Sequence, residues 1–200
     1  MIKMNKYIGL LTLKEYRFPT INWKCFNQDT LLDASFLWTI RLAAYYDSND
    51  FGLPCYLGMK SDDAICKGLD LYRSYDMSEY IIMCYPYFVA IKSGTIDLRQ
   101  DYDVIEVVFG NCTELTRNNN VDLTMIFKDN GYNTIGDDTI LDEDEINLLY
   151  RYMKLAKYRF RDESLNGCII ILEWSFGYDV DANGIRKSEN FLIFNEMRVI

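Results

Sequence analysis

Two apolar runs constrain this chain more than any other feature. Ile170-Ile171-Leu172-Glu173-Trp174-Ser175-Phe176 and Phe191-Leu192-Ile193-Phe194-Asn195-Glu196-Met197-Arg198 are both strand-like, and a polar loop separates them. Adjacent strands are the natural expectation. Each run carries one carboxylate, Glu173 and Glu196, and the second ends in Arg198. A carboxylate buried among apolar side chains is costly unless it is paired or binds a metal. Side by side, the strands bring both carboxylates to one place, where a hard-oxygen pair can hold Mg²⁺ against a nucleotide phosphate. The same residues also suit a structural ion pair with Arg198, or a half-exposed sheet with both carboxylates in solvent.

The stretch before these strands is a helix. Asp142 is a good N-cap, and Glu145 three residues later completes a capping-box spacing. Ile146, Leu149, Tyr150, Met153, Ala156 and Phe160 recur at helical intervals, so a helix is expected from Asp142 or Glu143 to Arg161, stopped by Asn166-Gly167. A second helix is expected from Ser61 to about Tyr75, with Asp62 and Asp63 in its first turn and Ile65, Leu69 and Tyr72 as its apolar stripe.

Strands are expected at Tyr7–Leu13, around Trp38–Leu42 with Arg41 on one face (a helix being the alternative there), at Tyr80–Lys92 with a break near Pro86, at Asp103–Phe109 and at Val121–Lys128. Ser93-Gly94-Thr95 reads as a turn, and Lys92 and Arg99 on either side of it as solvated cations by default, with phosphate contact as the alternative. Turns are also expected at 47–50, 118–120 and 129–131. Asp179-Val180-Asp181-Ala182-Asn183-Gly184 imitates the start of a calcium loop, but position 12 is Asn190 and the flanks are strand-like, so it reads as a polar hairpin loop.

Composition narrows the function. The chain has 200 residues, is 50% hydrophobic and contains 16 tyrosines, enough for a folded core of one domain or two closely packed lobes. A net charge of −9 argues against general nucleic-acid binding. No apolar run is long enough to span a bilayer, and six cysteines without a C-x-x-C pair suit a reducing cytoplasm. There is no histidine. A Ser-His-Asp triad, a Cys-His pair, His-ligated zinc and a phosphohistidine carrier are therefore excluded within this sequence.

The order of elements carries a resemblance. An acidic helix start at 141–145, an amphipathic helix, a glycine turn, the Leu-Glu-Trp strand, a hairpin and a strand ending Glu-Met-Arg resemble the C-terminal part of the ATP-binding domain of the phosphoenolpyruvate synthase and pyruvate phosphate dikinase family. Upstream, Ser93-Gly94-Thr95 is similar to that family's S-G-V turn. Val104-Ile105-Glu106-Val107-Val108-Phe109-Gly110 is similar to its V-I-E strand, with Glu114 in place of the last Glu of L-G-E and Val121-Asp122-Leu123-Thr124 in place of a P-D strand. The cover runs from about Lys92 to Arg198.

The resemblance implies an α+β, ATP-grasp-like fold: a mixed, mostly antiparallel sheet with packed helices, and a divergent lobe at 1–91 followed by an ATP-grasp-like lobe at 92–200. It implies ATP and Mg²⁺ as cofactors. Glu173 and Glu196 are then the metal carboxylates, Glu196 standing where the family has Gln. Arg198 meets phosphate, Glu106 lies nearer the adenosine end, and Arg41 matches the Arg of a V-R-S-S segment whose serines are absent here. Arg198 and Arg41 would be the catalytic cations. The family's glycine-rich, lysine-bearing opening segment, its catalytic-histidine domain and its pyruvate-binding barrel are not in this sequence. The expectation is therefore a compact relative that binds Mg²⁺–ATP and transfers phosphate to a separate acceptor protein, with no nucleic-acid or membrane partner. The alternative is a non-catalytic protein- or ligand-binding module that keeps the fold.

Overall fold

The structure, a computed structural model, describes residues 4–46, 52–112, 120–128 and 131–200. The expected turn at 47–50, most of those at 118–120 and 129–131, and Glu114 lie outside the described residues.

Two antiparallel sheets follow one another along the chain. The first contains β1 (Lys24–Cys25), β2 (Trp38–Ala44), β3 (Cys55–Met59) and β4 (Tyr80–Pro86) in the order β1-β4-β2-β3. The second contains β5 (Phe88–Leu98), β6 (Asp103–Phe109), β7 (Leu123–Lys128), β8 (Gly131–Gly136), β9 (Ile170–Asp179) and β10 (Phe191–Val199) in the order β10-β9-β5-β6-β7-β8. Among the described residues every named strand pair is antiparallel; the parallel element is an isolated bridge between Thr20 and Phe194. Pro86 closes β4 and the chain re-enters a sheet at Phe88, as a residue without an N–H donor requires.

Helix α2 (Ser61–Ser74) covers one face of the first sheet. Ala64 and Leu71 pack with Phe26, Ile40, Leu42 and Ile82, and Ile65, Leu69 and Tyr72 lie along the edge of that cluster. Helix α3 (Glu143–Arg159) covers one face of the second sheet, burying Leu149, Met153 and Ala156 against a core that includes Ile96, Leu98, Ile105, Leu172 and Trp174. Asp142 and Glu145 form the expected capping box. The short helix α4 (Arg161–Leu165) ends before Gly167, which adopts a left-handed φ of 83°. No helix among the described residues is long and apolar enough to cross a membrane.

Two sequence expectations are corrected, and one strand, β8, was not anticipated. Tyr7–Leu13 is not a strand but part of helix α1 (Lys6–Glu15). The Asn5 side chain accepts from Ile8 N at 2.9 Å and caps it, and Leu10 and Leu13, three apart, share its buried face. Gly9 permits the closest approach of α1 to β10, because a Cβ there would strike the Met197 carbonyl. A short, largely apolar run of this kind does not reveal which period its burial follows.

Ser93-Gly94-Thr95 is not a turn but the middle of β5. A Cβ at Gly94 would collide with the Glu106 carbonyl and the Trp174 ring. The glycine marks a close approach between strands rather than a change of direction. The residues of β8, all exposed, carry no alternation that would have announced a strand.

Candidate functional site

The site begins with strand register. Glu196 on β10 and Glu173 on β9 are direct cross-strand partners, so both side chains leave the same face of the sheet. The pairing steps from Phe194–Trp174 to Glu196–Glu173, which makes Asn195 a bulge residue. Its amide donates to Ser175 Oγ at 2.8 Å. The row continues from Glu173 to Thr95, Glu106 and Thr124. This polar face is opposite the one packed against α3, where Leu172, Trp174 and Ile96 lie.

Three cations converge on Glu196 from three elements. Lys6 Nζ at the start of α1 is 2.8 Å from Oε2, and Arg41 Nη2 on β2 is 3.4 Å from the same oxygen. Arg198, two residues along β10, donates through Nε to Oε1. Glu196 is 1% exposed, whereas Arg198 is 40% exposed and opens toward solvent. Burial alone would raise the Glu196 pKa, but Lys6, Arg41 and Arg198 together hold its carboxyl below the usual range.

Glu173 is the contrasting partner. Its side chain is part-exposed. Desolvation and then the Glu196 charge push its pKa up, and the same three cations offset only part of this. Two neighbouring carboxylates with pKa values driven apart are typical of sites that handle charge. Cys112 completes the surroundings: burial, then Glu173 and Glu196, raise its thiol to about 12.

Arg41 belongs to the inner face of the first sheet. Tyr85, buried and paired across the strands with Thr39, lies beside it. Burial raises the Tyr85 phenol to about 12 despite the Arg41 charge. The first sheet thus supplies a guanidinium, the second sheet two carboxylates and a second guanidinium, and α1 an ammonium.

The structure gathers Glu173, Glu196, Arg198 and Arg41 in one cluster. Glu106 shares their face but stands two strands from Glu173, roughly 10 Å away at ordinary strand spacing. Burial raises the Glu106 pKa, with a smaller push from Asp97. Lys92 faces the other way and pairs with Glu145 at the start of α3, 2.6 Å apart. Arg99 is held by Asp97 at 3.2 Å. In the 179–184 loop, Asp181 accepts from Asn183 N and Ile185 N, so its carboxylate closes a turn.

Lys6, Tyr85 and Cys112 were not legible as site residues. Lys6 depended on reading α1 as a helix, and the asparagine cap before it was the available signal.

Among the described residues no three metal-binding side chains of the His, Cys, Asp or Glu type come together. Two carboxylates fit Mg²⁺, which keeps waters and takes its remaining ligands from phosphate; they do not make an all-protein cage. The cations around them fit a polyphosphate.

No family model and no curated protein matches the chain. Solved structures do. The D-alanine-D-alanine ligase of Helicobacter pylori superimposes with a TM-score of 0.50 at 14% identity, over 96% of this chain and 50% of the ligase. The chain therefore spans about half the length of that enzyme. A dinucleotide-forming acetyl-coenzyme A synthetase 1 of Ca. Korarchaeum cryptofilum, solved with coenzyme A, acetyl-coenzyme A and a phosphorylated phosphohistidine segment, gives a TM-score of 0.48 at 11% identity, over 100% of this chain and 93% of that one. The fold is α+β and ATP-grasp-like.

Proposed function

We propose that this protein binds Mg²⁺–ATP on the polar face around Glu173 and Glu196, and that it passes phosphate to a separate acceptor protein as a compact relative of the phosphoenolpyruvate synthase and pyruvate phosphate dikinase nucleotide-binding domain. The observation that carries the reading is the convergence of two opposed carboxylates and three cations from three separate elements.

Glu173, the more accessible carboxylate, would meet the metal first, with Glu196 beside it. Bound Mg²⁺ would supply neutralisation of phosphate charge. Arg198 and Arg41 would orient the phosphates and stabilise the charge that spreads over the transferred group. Lys6 joins them as a third cation. Glu106 would lie toward the adenosine end. For the phosphates to engage these cations, their hold on Glu196 must loosen, and a metal at Glu196 would replace the charge they provide.

A second reading has its own support. Both oxygens of Glu196 are engaged and the carboxylate is 1% exposed, as in a structural ion-pair hub of a non-catalytic binding module. Thermal melting separates the two. A rise in midpoint with Mg²⁺ and ATP together, absent with either alone and lost in Glu173→Gln, supports the nucleotide site. No shift at millimolar Mg²⁺–ATP leaves the binding module.

A further inference from the structure

The side-chain alternation of β10 changes phase in its middle. Phe194 pairs with Trp174 and touches Tyr152 of α3, so it lies on the helix-covered face together with Leu192. Met197 pairs with Leu172 and Val199 with Ile170, on that same face. Phe194 and Met197 are three residues apart, whereas a regular strand returns to one face only at even steps. The extra residue is Asn195, the bulge opposite Glu173. Without it Glu196 would stand on the core face in place of Met197, away from its cations, at the cost of an unpaired buried charge. The bulge is what sends both Glu196 and Arg198 to the face of Glu173.

A directed hydrogen-bond chain anchors that bulge. Ser93 Oγ lies 2.7 Å from the carbonyl of Gly110, which can only accept, so Ser93 donates there. Ser93 Oγ therefore accepts from Ser175 Oγ at 2.8 Å, and Ser175 Oγ accepts from the Asn195 amide at 2.8 Å. A hydroxyl has a single hydrogen to give, so the order of donors is forced, and Asn195 must turn Nδ2 rather than its oxygen toward Ser175. Ser93 and Ser175 are 0% and 2% exposed, which keeps water from competing for these bonds. The chain crosses from β10 over β9 to β5 and the end of β6. It runs beside the row Glu196–Glu173–Thr95–Glu106, on the same face of the sheet.

We infer that Ser93, Ser175 and Asn195 form a positioning device for the candidate site, with Asn195 as the positioning residue that pins the bulge and so holds Glu196 and Arg198 beside Glu173. Lys6, Arg41 and Arg198 grip the Glu196 carboxylate at its tip; the chain fixes the backbone from which it projects. The inference rests on the Mg²⁺–ATP reading of that site. A metal bridging Glu173 and Glu196 needs their separation set in advance, and supports of this kind behind a ligand govern affinity without touching the ion.

The test uses the whole protein, with Mn²⁺ and a nonhydrolysable ATP analogue as the probe and free Mn²⁺ read by electron paramagnetic resonance. Asn195→Ala and Ser175→Ala cut the chain at separate points without removing a charge. Each should weaken Mn²⁺ about tenfold. The double variant should lose no more than either alone, because both remove one device. Ile193→Ala lies on the same strand outside the chain and controls for general loosening of β10. It should leave Mn²⁺ affinity within about twofold, even where its melting midpoint falls as far as those of the chain variants. In the metal-free protein the Asn195 side-chain amide should exchange slowly by NMR, and Ser175→Ala should release it. Unchanged Mn²⁺ affinity in both chain variants, an equal loss in Ile193→Ala, or losses that multiply in the double variant would overturn the inference. The nucleotide reading is judged on the parent and Glu173→Gln. Mn²⁺ binding that Glu173→Gln abolishes and the chain variants leave intact overturns the positioning role alone. A parent that takes up no Mn²⁺ with the analogue overturns both.

Discussion

Glu173 and Glu196 face each other directly across β9 and β10, yet their carboxyls are driven in opposite directions. Glu196 sits among Lys6, Arg41 and Arg198 and is held ionised. Glu173 carries the cost of burial and of its neighbour's charge. The pair is thus one stable anion and one carboxyl whose charge the fold opposes, an arrangement that a cation arriving between them would relieve.

Removing the Glu173 charge should therefore stabilise the protein when no ligand is present. The raised folded pKa means that Glu173 favours the native state most below its unfolded value near 4.5, and that this advantage is lost as pH rises through the folded value. Glu173→Gln should melt a few degrees higher than the parent at pH 8, and the difference should shrink toward pH 4. A melting series over pH checks this; a lower midpoint for the variant at pH 8 would contradict it.

Glu196 has the opposite sign. Its depressed pKa contributes stability above the unfolded value near 4.5, lost as pH falls through the lower folded value. Glu196→Gln leaves Lys6 and Arg41 without their shared carboxylate and should cost roughly 3 kcal/mol in denaturant unfolding at neutral pH. The loss should fade in acid.

Cys112 should be slow to alkylate. With its thiol raised to about 12, little thiolate exists at pH 8, whereas Cys55 and Cys66 are exposed. Mass spectrometry after brief iodoacetamide treatment should find Cys55 and Cys66 modified well before Cys112. Early labelling of Cys112 would remove the negative, desolvated surroundings assigned to it.

Gly94→Ala tests the approach of β5 to β6 and Trp174. Its Cβ has no room against the Glu106 carbonyl, so the strands must separate. A loss of about 2 kcal/mol or more is expected in denaturant unfolding. A neutral result would contradict the close approach of Gly94 to the Glu106 carbonyl and the Trp174 ring.

The parts of the fold legible in the sequence are those where one local signal dominates. Asp142 and Glu145 announced α3, and Asp103–Phe109 kept its boundaries because alternation and Gly110 agree. The expected ATP-grasp-like architecture is the one found. Misreadings arose where tertiary packing chose between two local possibilities. The largely apolar run Tyr7–Leu13 fits either period until β10 packs against Gly9, and Gly94 resembled a turn until Glu106 and Trp174 were in place. Register brought Glu173 opposite Glu196, but the reach of Lys6 and Arg41 across the two sheets is a long-range fact that no local pattern encodes.

The most direct measurement is a crystal structure of the protein with Mg²⁺ and a nonhydrolysable ATP analogue. The metal should lie about 2.1 Å from a Glu173 oxygen, bridged to phosphate, with Arg198 and Arg41 turned to the phosphate oxygens. A nucleotide bound away from β9 and β10, or an unoccupied face on which Lys6, Arg41 and Arg198 still clasp Glu196 at saturating ligand, would contradict it.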